Sequence, residues 1–88
     1  MYNIVYTKTA IKDIPKLKSA HLDKNAKALI DVIRTNPFQV PPPFEKLIGD
    51  LEGAYSRRIN IKNRLVYQVL EQEKTVKIIS LWSHYERI

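Results

Sequence analysis

Three arginines and a histidine interrupt what would otherwise be apolar strands. The runs Tyr55-Ser56-Arg57-Arg58-Ile59, Asn63-Arg64-Leu65-Val66-Tyr67 and Trp82-Ser83-His84-Tyr85 have strand-like composition, yet they carry Arg57, Arg58, Arg64 and His84. Strands normally keep charges at their edges, and an ordinary core has no use for these. Arginine presents forked donors that match anionic oxygens, so the pattern predicts a phosphate-handling surface, with nucleic acid as the first substrate class. Upstream, Glu45 follows a proline-rich stretch at 37–44. One carboxylate, one imidazole and convergent guanidiniums make a minimal set for phosphodiester transesterification. A base takes the proton from a ribose 2′-hydroxyl, arginine balances charge on the phosphorane, and an acid protonates the leaving 5′-oxygen. That chemistry requires no metal and no other cofactor.

Each of these residues also has a plainer reading. A lone histidine at a strand end is commonly a surface residue, and a glutamate after prolines is commonly solvated. Alternation along the first run sends Tyr55, Arg57 and Ile59 to one side and Ser56 and Arg58 to the other, so at most one of the adjacent arginines belongs to a site. On the last strand, alternation groups Val76, Ile78, Ser80, Trp82 and His84 against Ile79, Leu81 and Tyr85. Trp82 and Tyr85 are aromatic surfaces of the kind on which bases stack. Other chemistries lack their residues. Two histidines far apart, no cysteine and no HExxH spacing argue against zinc. Gly49 and Gly53 do not form a phosphate-cradling loop, and no serine nucleophile elbow is present. DNA binding by the lysine-bearing helices stays open, although such a face is ordinarily just the solvated side.

The elements that must position these groups can be outlined. Residues 2–7 read as a first strand. Ala10, Ile11, Ile14 and Leu17 fall at helical spacing, with Pro15 kinking that helix or lying near its start. Leu22, Ala26, Leu29, Ile30 and Ile33 mark a second helix, with Asp23 as candidate cap and Asn36-Pro37 as its end. The prolines of 37–44 predict a stiff extended strut that delivers Glu45. Turns at Gly49-Asp50 and Glu52-Gly53 lead into three strands, at about 54–60, 64–71 and 75–83, paired antiparallel in chain order. The expected architecture is α+β: an N-terminal strand and a two-helix hairpin packed on an antiparallel sheet with a C-terminal three-stranded meander.

With 88 residues, 44% hydrophobic and 27% charged, the chain is expected to be one domain, 1–88. Its net charge of +6 favours polyanionic partners. The absence of cysteine, of a signal-like leader and of any long apolar run predicts a cytoplasmic protein with no membrane association.

On these residues the chain resembles the Txe/YoeB-type toxins of bacterial toxin-antitoxin modules, within the RelE-like superfamily. The match rests on Phe44-Glu45-Lys46-Leu47, Leu51-Glu52-Gly53, Tyr55-Ser56-Arg57-Arg58-Ile59, Arg64-Leu65-Val66-Tyr67 and His84-Tyr85, in the family's order and spacing. The resemblance implies a RelE-like fold and a ribosome-dependent endoribonuclease, an mRNA interferase that cuts mRNA in the A site of the 70S ribosome and so inhibits translation. It further implies neutralisation by a cognate acidic antitoxin, and it admits a homodimer. Carried over residue by residue, Glu45 takes the general-base position, His84 the general-acid position and Arg64 that of the transition-state arginine. Arg58 matches a phosphate contact and Tyr85 the terminal tyrosine that stacks on or hydrogen-bonds the scissile nucleotide, while Arg57 and Lys46 complete the RNA-binding set. The chain departs from many relatives in carrying Asn63 before Arg-Leu-Val-Tyr, Ser83 before His-Tyr, and a lysine-rich first helix. Two alternatives stay open: a ParE-like toxin on the same fold that inhibits a protein target such as DNA gyrase, and a non-catalytic RNA- or DNA-binding module. Glu45, Arg64 and His84 together favour the nuclease.

Overall fold

Thr7 is where strand becomes helix. In the computed structural model, which describes residues 1–83, strand β1 (Asn3–Tyr6) runs directly into helix α1 (Lys8–Ser19). Thr7 keeps an extended backbone while its hydroxyl accepts the Ala10 amide at 3.1 Å, the geometry of an N-cap. Pro15 lies inside α1. It is exposed, so the bond that it cannot donate is lost on the solvated side, where the freed carbonyl meets water. A turn with His21 in the left-handed region (φ 61°) reverses the chain into α2 (Asp23–Thr35). The cap of α2 is Leu22 rather than the expected Asp23, and Leu22 makes no side-chain cap hydrogen bond. Asp23 lies one residue later, where its charge still complements the positive helix end.

The remaining strands are β2 (Glu45–Lys46), β3 (Ala54–Arg58), β4 (Arg64–Leu70) and β5 (Thr75–Ser83). They form one sheet with β1 in the order β1-β5-β4-β3-β2. The meander β3-β4-β5 pairs antiparallel as expected, and β2 adds to its free side. The N-terminal strand β1, whose direction the sequence left open, makes the sheet mixed: it runs parallel to β5, with Asn3 opposite Thr75 and Tyr6 opposite Ile78. Short turns compel antiparallel pairing, whereas the long excursion between β1 and β5 leaves the direction free. β3 stops at Arg58 because the next residues close a turn: Ile59 and Asn60 amides donate to the Asn63 carbonyl, and Asn60 Oδ1 accepts from Lys62 and Asn63.

One sheet face receives the helices. Ala10 and Leu17 of α1 and Ala26, Leu29, Ile30 and Ile33 of α2 pack on Leu65, Tyr67, Val76, Ile78 and Leu81. Strict alternation on β5 is broken, which corrects the expected grouping of Ser80 with Ile78. β5 takes five steps, Ile78 to Ser83, where β4 takes three, Tyr67 to Arg64, and the extra residues are accommodated as bulges. Ile78 and Leu81 therefore both reach the core, while the hydroxyls of Ser80 and Ser83 meet each other.

Beyond Ile78 strand β5 outruns β1, and α1 closes the exposed edge. The Thr7 hydroxyl donates to the Ile79 carbonyl at 2.7 Å, and the Leu81 amide donates to Oδ2 of buried Asp13 at 2.9 Å. Among the described residues, no helix is long and apolar enough to cross a membrane.

Candidate active site

The sheet face away from the helices gathers the polar groups. In register Glu45 lies opposite Ser56, Ser56 opposite Val66, and Arg58 opposite Arg64, so Glu45, Ser56, Arg58 and Arg64 share that side. Arg64 Nη1 donates to Glu45 Oε1 at 3.0 Å and to Ser56 Oγ at 3.2 Å. The arginine side chain is only 14% exposed and the glutamate 64%. The guanidinium is thus held by the protein, while the carboxylate projects toward solvent. Ser56 is fully buried. Its hydroxyl gives Arg64 a second fixed acceptor, a role that no residue pattern announces.

Arg58 and Arg64 line a recess of about 50 Å³ with Pro43, Phe44, Glu45 and Ser56. Two guanidiniums on a cross-strand pair repel each other. One carboxylate offsets only one of them, so the recess keeps a positive surplus suited to an anionic oxygen. The end of β5 completes the neighbourhood, with Ser83 opposite Arg64. His84 and Tyr85 lie outside the described residues.

Three expected contributors are placed elsewhere. Lys46 lies opposite Tyr55, on the other side from Glu45, and lines a separate shallow groove with Leu47, Ile48, Glu52 and Gly53. Trp82 packs against the core and lines a groove with Pro15, Lys16, Ser19 and Ala20 of the α1 region.

Arg57, expected to contact RNA, is instead 1% exposed. Its Nη1 donates to the Pro42 carbonyl at 2.6 Å, Nη2 to the Pro37 carbonyl at 3.0 Å and Nε to the Tyr67 hydroxyl at 3.1 Å. The Phe44 ring covers the guanidinium at 5.1 Å from its centroid. With no carboxylate partner among the described residues, the cation tolerates this burial because all three guanidinium nitrogens have acceptors and an aromatic face covers the plane. Tyr67 in turn donates to the Pro37 carbonyl at 2.7 Å, and burial pushes its phenol pKa up, with the Arg57 hydrogen bond opposing the shift.

The same contacts correct the expected strut. In a polyproline helix the carbonyls of residues 37 and 42 would stand roughly 15 Å apart. Here both converge on one guanidinium, and the chain turns at 37–38 and bends at 40–42. Phe38, Phe44 and Tyr55 pack around this loop with ring centroids 5.2 to 5.9 Å apart.

Comparison with known proteins gives this arrangement a context. A family model described as the YoeB-like toxin of bacterial type II toxin-antitoxin systems matches residues 6–85. The chain is 39% identical over 64 residues to Toxin YoeB of a Synechocystis strain, covering 73% of this chain and 72% of the relative. Among solved structures it is similar to a YoeB/ParE toxin from Agrobacterium tumefaciens, at TM-score 0.84 and 28% identity, covering 94% of this chain and 99% of the other. It is likewise similar to YoeB from Staphylococcus aureus at 33% identity. That protein is known both in a YoeB-YefM complex, at TM-score 0.79 over 97% of this chain and 99% of the other, and as a YoeB dimer, at TM-score 0.81 over 96% and 98%. With the family model spanning nearly its whole length, the chain belongs to the YoeB-like toxins of bacterial type II toxin-antitoxin systems.

Proposed function

We propose that this toxin is a ribosome-dependent endoribonuclease that arrests translation by cutting mRNA in the ribosomal A site. The observation that supports it most is the Glu45–Arg64 pair at 3.0 Å, beside Arg58 and facing the end of β5. Glu45 takes the proton from a ribose 2′-hydroxyl, and that oxygen attacks the adjacent phosphorus. Arg64, already oriented by Ser56, turns its remaining donors to the phosphorane oxygens, and Arg58 binds the neighbouring phosphate. The bond from phosphorus to the 5′-oxygen breaks, and His84 supplies the proton to that leaving oxygen. The products are a 2′,3′-cyclic phosphate and a 5′-hydroxyl. Tyr85 stacks on or hydrogen-bonds the scissile nucleotide. No residue in this scheme aligns the RNA along its length, so the ribosome is assigned that task.

The cognate antitoxin is an acidic segment that covers the arginine-bearing face. YefM and the YoeB dimer, found with the staphylococcal relative, are the models for its partner and its self-association.

Primer extension on mRNA translated in a reconstituted bacterial system tests the proposal. Wild type should cut at ribosome-dependent positions, and His84→Gln and Glu45→Ala should each lose those cuts. If translation stops and no cut appears, the catalytic reading fails, and inhibition of a protein target in the manner of ParE takes its place.

A further inference from the structure

We infer that Arg57 is a positioning residue for Glu45: it latches the 37–44 loop from the opposite side of the sheet and thereby sets where the carboxylate meets the substrate. The inference rests on the nuclease reading of Glu45.

Glu45 stands at the start of a strand only two residues long. On its C-terminal side the chain is anchored by pairing with β3 and by the Leu47 amide, which donates to the Ala54 carbonyl at 2.9 Å. On its N-terminal side the preceding residues have turns and bends but no strand or helix to hold them. The Tyr67 hydroxyl on the Pro37 carbonyl and the ring contacts of Phe38, Phe44 and Tyr55 restrain them in part, and among the described residues Arg57 alone ties both ends of the loop to one group. Its guanidinium takes the carbonyls of Pro37 and Pro42, and its face takes the ring of Phe44.

Adjacent residues of a strand point to opposite sides. Phe44 packs inward against Arg57, and Glu45 points outward to Arg64. Fixing the ring of Phe44 therefore fixes the direction in which the next carboxylate leaves the backbone. Neighbouring arginines on β3 divide the work, since Arg58 lines the recess and Arg57 holds the loop that supplies its carboxylate.

Arginine suits the task for a geometric reason. Its planar fork bonds two carbonyls along separate directions while leaving a flat face for an aromatic ring, and lysine offers neither. A misplacement of about 1 Å in a catalytic group lowers rate by about a hundredfold. Loss of the latch should therefore act on the chemical step, with ribosome binding spared.

The test uses purified full-length protein in single-turnover cleavage of mRNA on programmed ribosomes, with toxin varied to saturation. Three variants are compared with wild type: Arg57→Met, Phe44→Leu, and Leu29→Ala on α2 as a control destabilised away from the loop. Thermal melting gives the folded fraction for each. We expect Arg57→Met to lower the saturating rate 10- to 100-fold per folded molecule, with the half-saturating concentration unchanged. Phe44→Leu should lower it less, and Leu29→Ala should leave it at the wild-type value. Should Arg57→Met fail to fold, Arg57→Lys, which keeps the charge but not the two-carbonyl fork, takes its place. A wild-type saturating rate in the folded variant, or a loss shared equally by Leu29→Ala, overturns the positioning role. Absence of cutting by wild type overturns the nuclease reading instead.

Discussion

Tyr67 links the core to the loop that carries Glu45. Its phenol donates to Pro37 and accepts from Arg57, and burial raises its pKa above the ordinary value of about 10. A raised folded-state pKa means that the native protein holds this proton more tightly than the unfolded chain. The resulting stability is complete below the ordinary value and is lost as pH climbs through the raised one. Tyr67→Phe should cost about 1–3 kcal/mol at neutral pH, because the Arg57 Nε and the Pro37 carbonyl each lose a buried partner. Above pH 10 its stability should fall less steeply than that of wild type in urea titrations. Tyr2, whose pKa is raised by its hydrogen bond to Glu71, is retained in both proteins, so the difference isolates Tyr67. Equal slopes would refute the assignment. At this scale the sequence was legible only in part. Arg64, Arg58 and Glu45 stood out as charges in or beside apolar runs, and the structure places them together. Arg57 was indistinguishable in type from Arg58. Alternation predicts that the two differ in side but not which side is inside, because the deciding contacts are carbonyls of a distant loop. Ser56 and Asp13, small polar residues with no repeating neighbours, gave no signal at all.

At the scale of elements, α1 has two jobs. It packs its apolar stripe on the sheet, and through Thr7 and Asp13 it satisfies the edge of β5 where β1 has ended. Removing the carboxylate in Asp13→Ala leaves the Leu81 amide buried without an acceptor, which should cost about 1–3 kcal/mol. Asp13→Asn keeps an acceptor oxygen and should cost less. Amide exchange at Leu81 should quicken far more in the alanine variant than at Ile78, which lies within the span paired with β1. Equal acceleration at both sites would show that Asp13 acts on the whole fold. Helices and strands were the most legible features because each has a strong period: Ala10, Leu17, Ala26, Leu29, Ile30 and Ile33 reach the core and Ile14 and Leu22 pack against it, whereas Ile11, expected in the first stripe, is exposed. The bulges of β5 were not legible, since inserting extra residues into a ladder depends on the partner strand. Nor was the bent course of 37–44, where proline content suggested extension and a buried guanidinium on another strand imposed curvature.

At the scale of the molecule, charge and topology matter most. Fifteen lysines and arginines against nine acidic side chains give a net positive charge that attracts polyanions. On the nuclease reading, engagement of about three to six phosphates on the ribosome would give a log–log slope of affinity against salt of about −2 to −4. The half-saturating toxin concentration should rise with salt accordingly, while the saturating cleavage rate changes little. An affinity indifferent to salt would mean that the basic surplus serves only to keep the protein dispersed. The sheet order carries a different consequence. β5 follows the other four strands in the chain, yet it lies between β1 and β4 and joins the N-terminal strand and helices to the meander. Until β5 has been synthesised, the two parts of the molecule have no common sheet to dock on, and Arg64 lacks its neighbour Ser83. A nascent chain halted before Thr75 therefore holds Glu45 and both site arginines without the framework that aligns them. On the nuclease reading, synthesis of β5 and of His84 immediately after it is thus the step that arms the toxin.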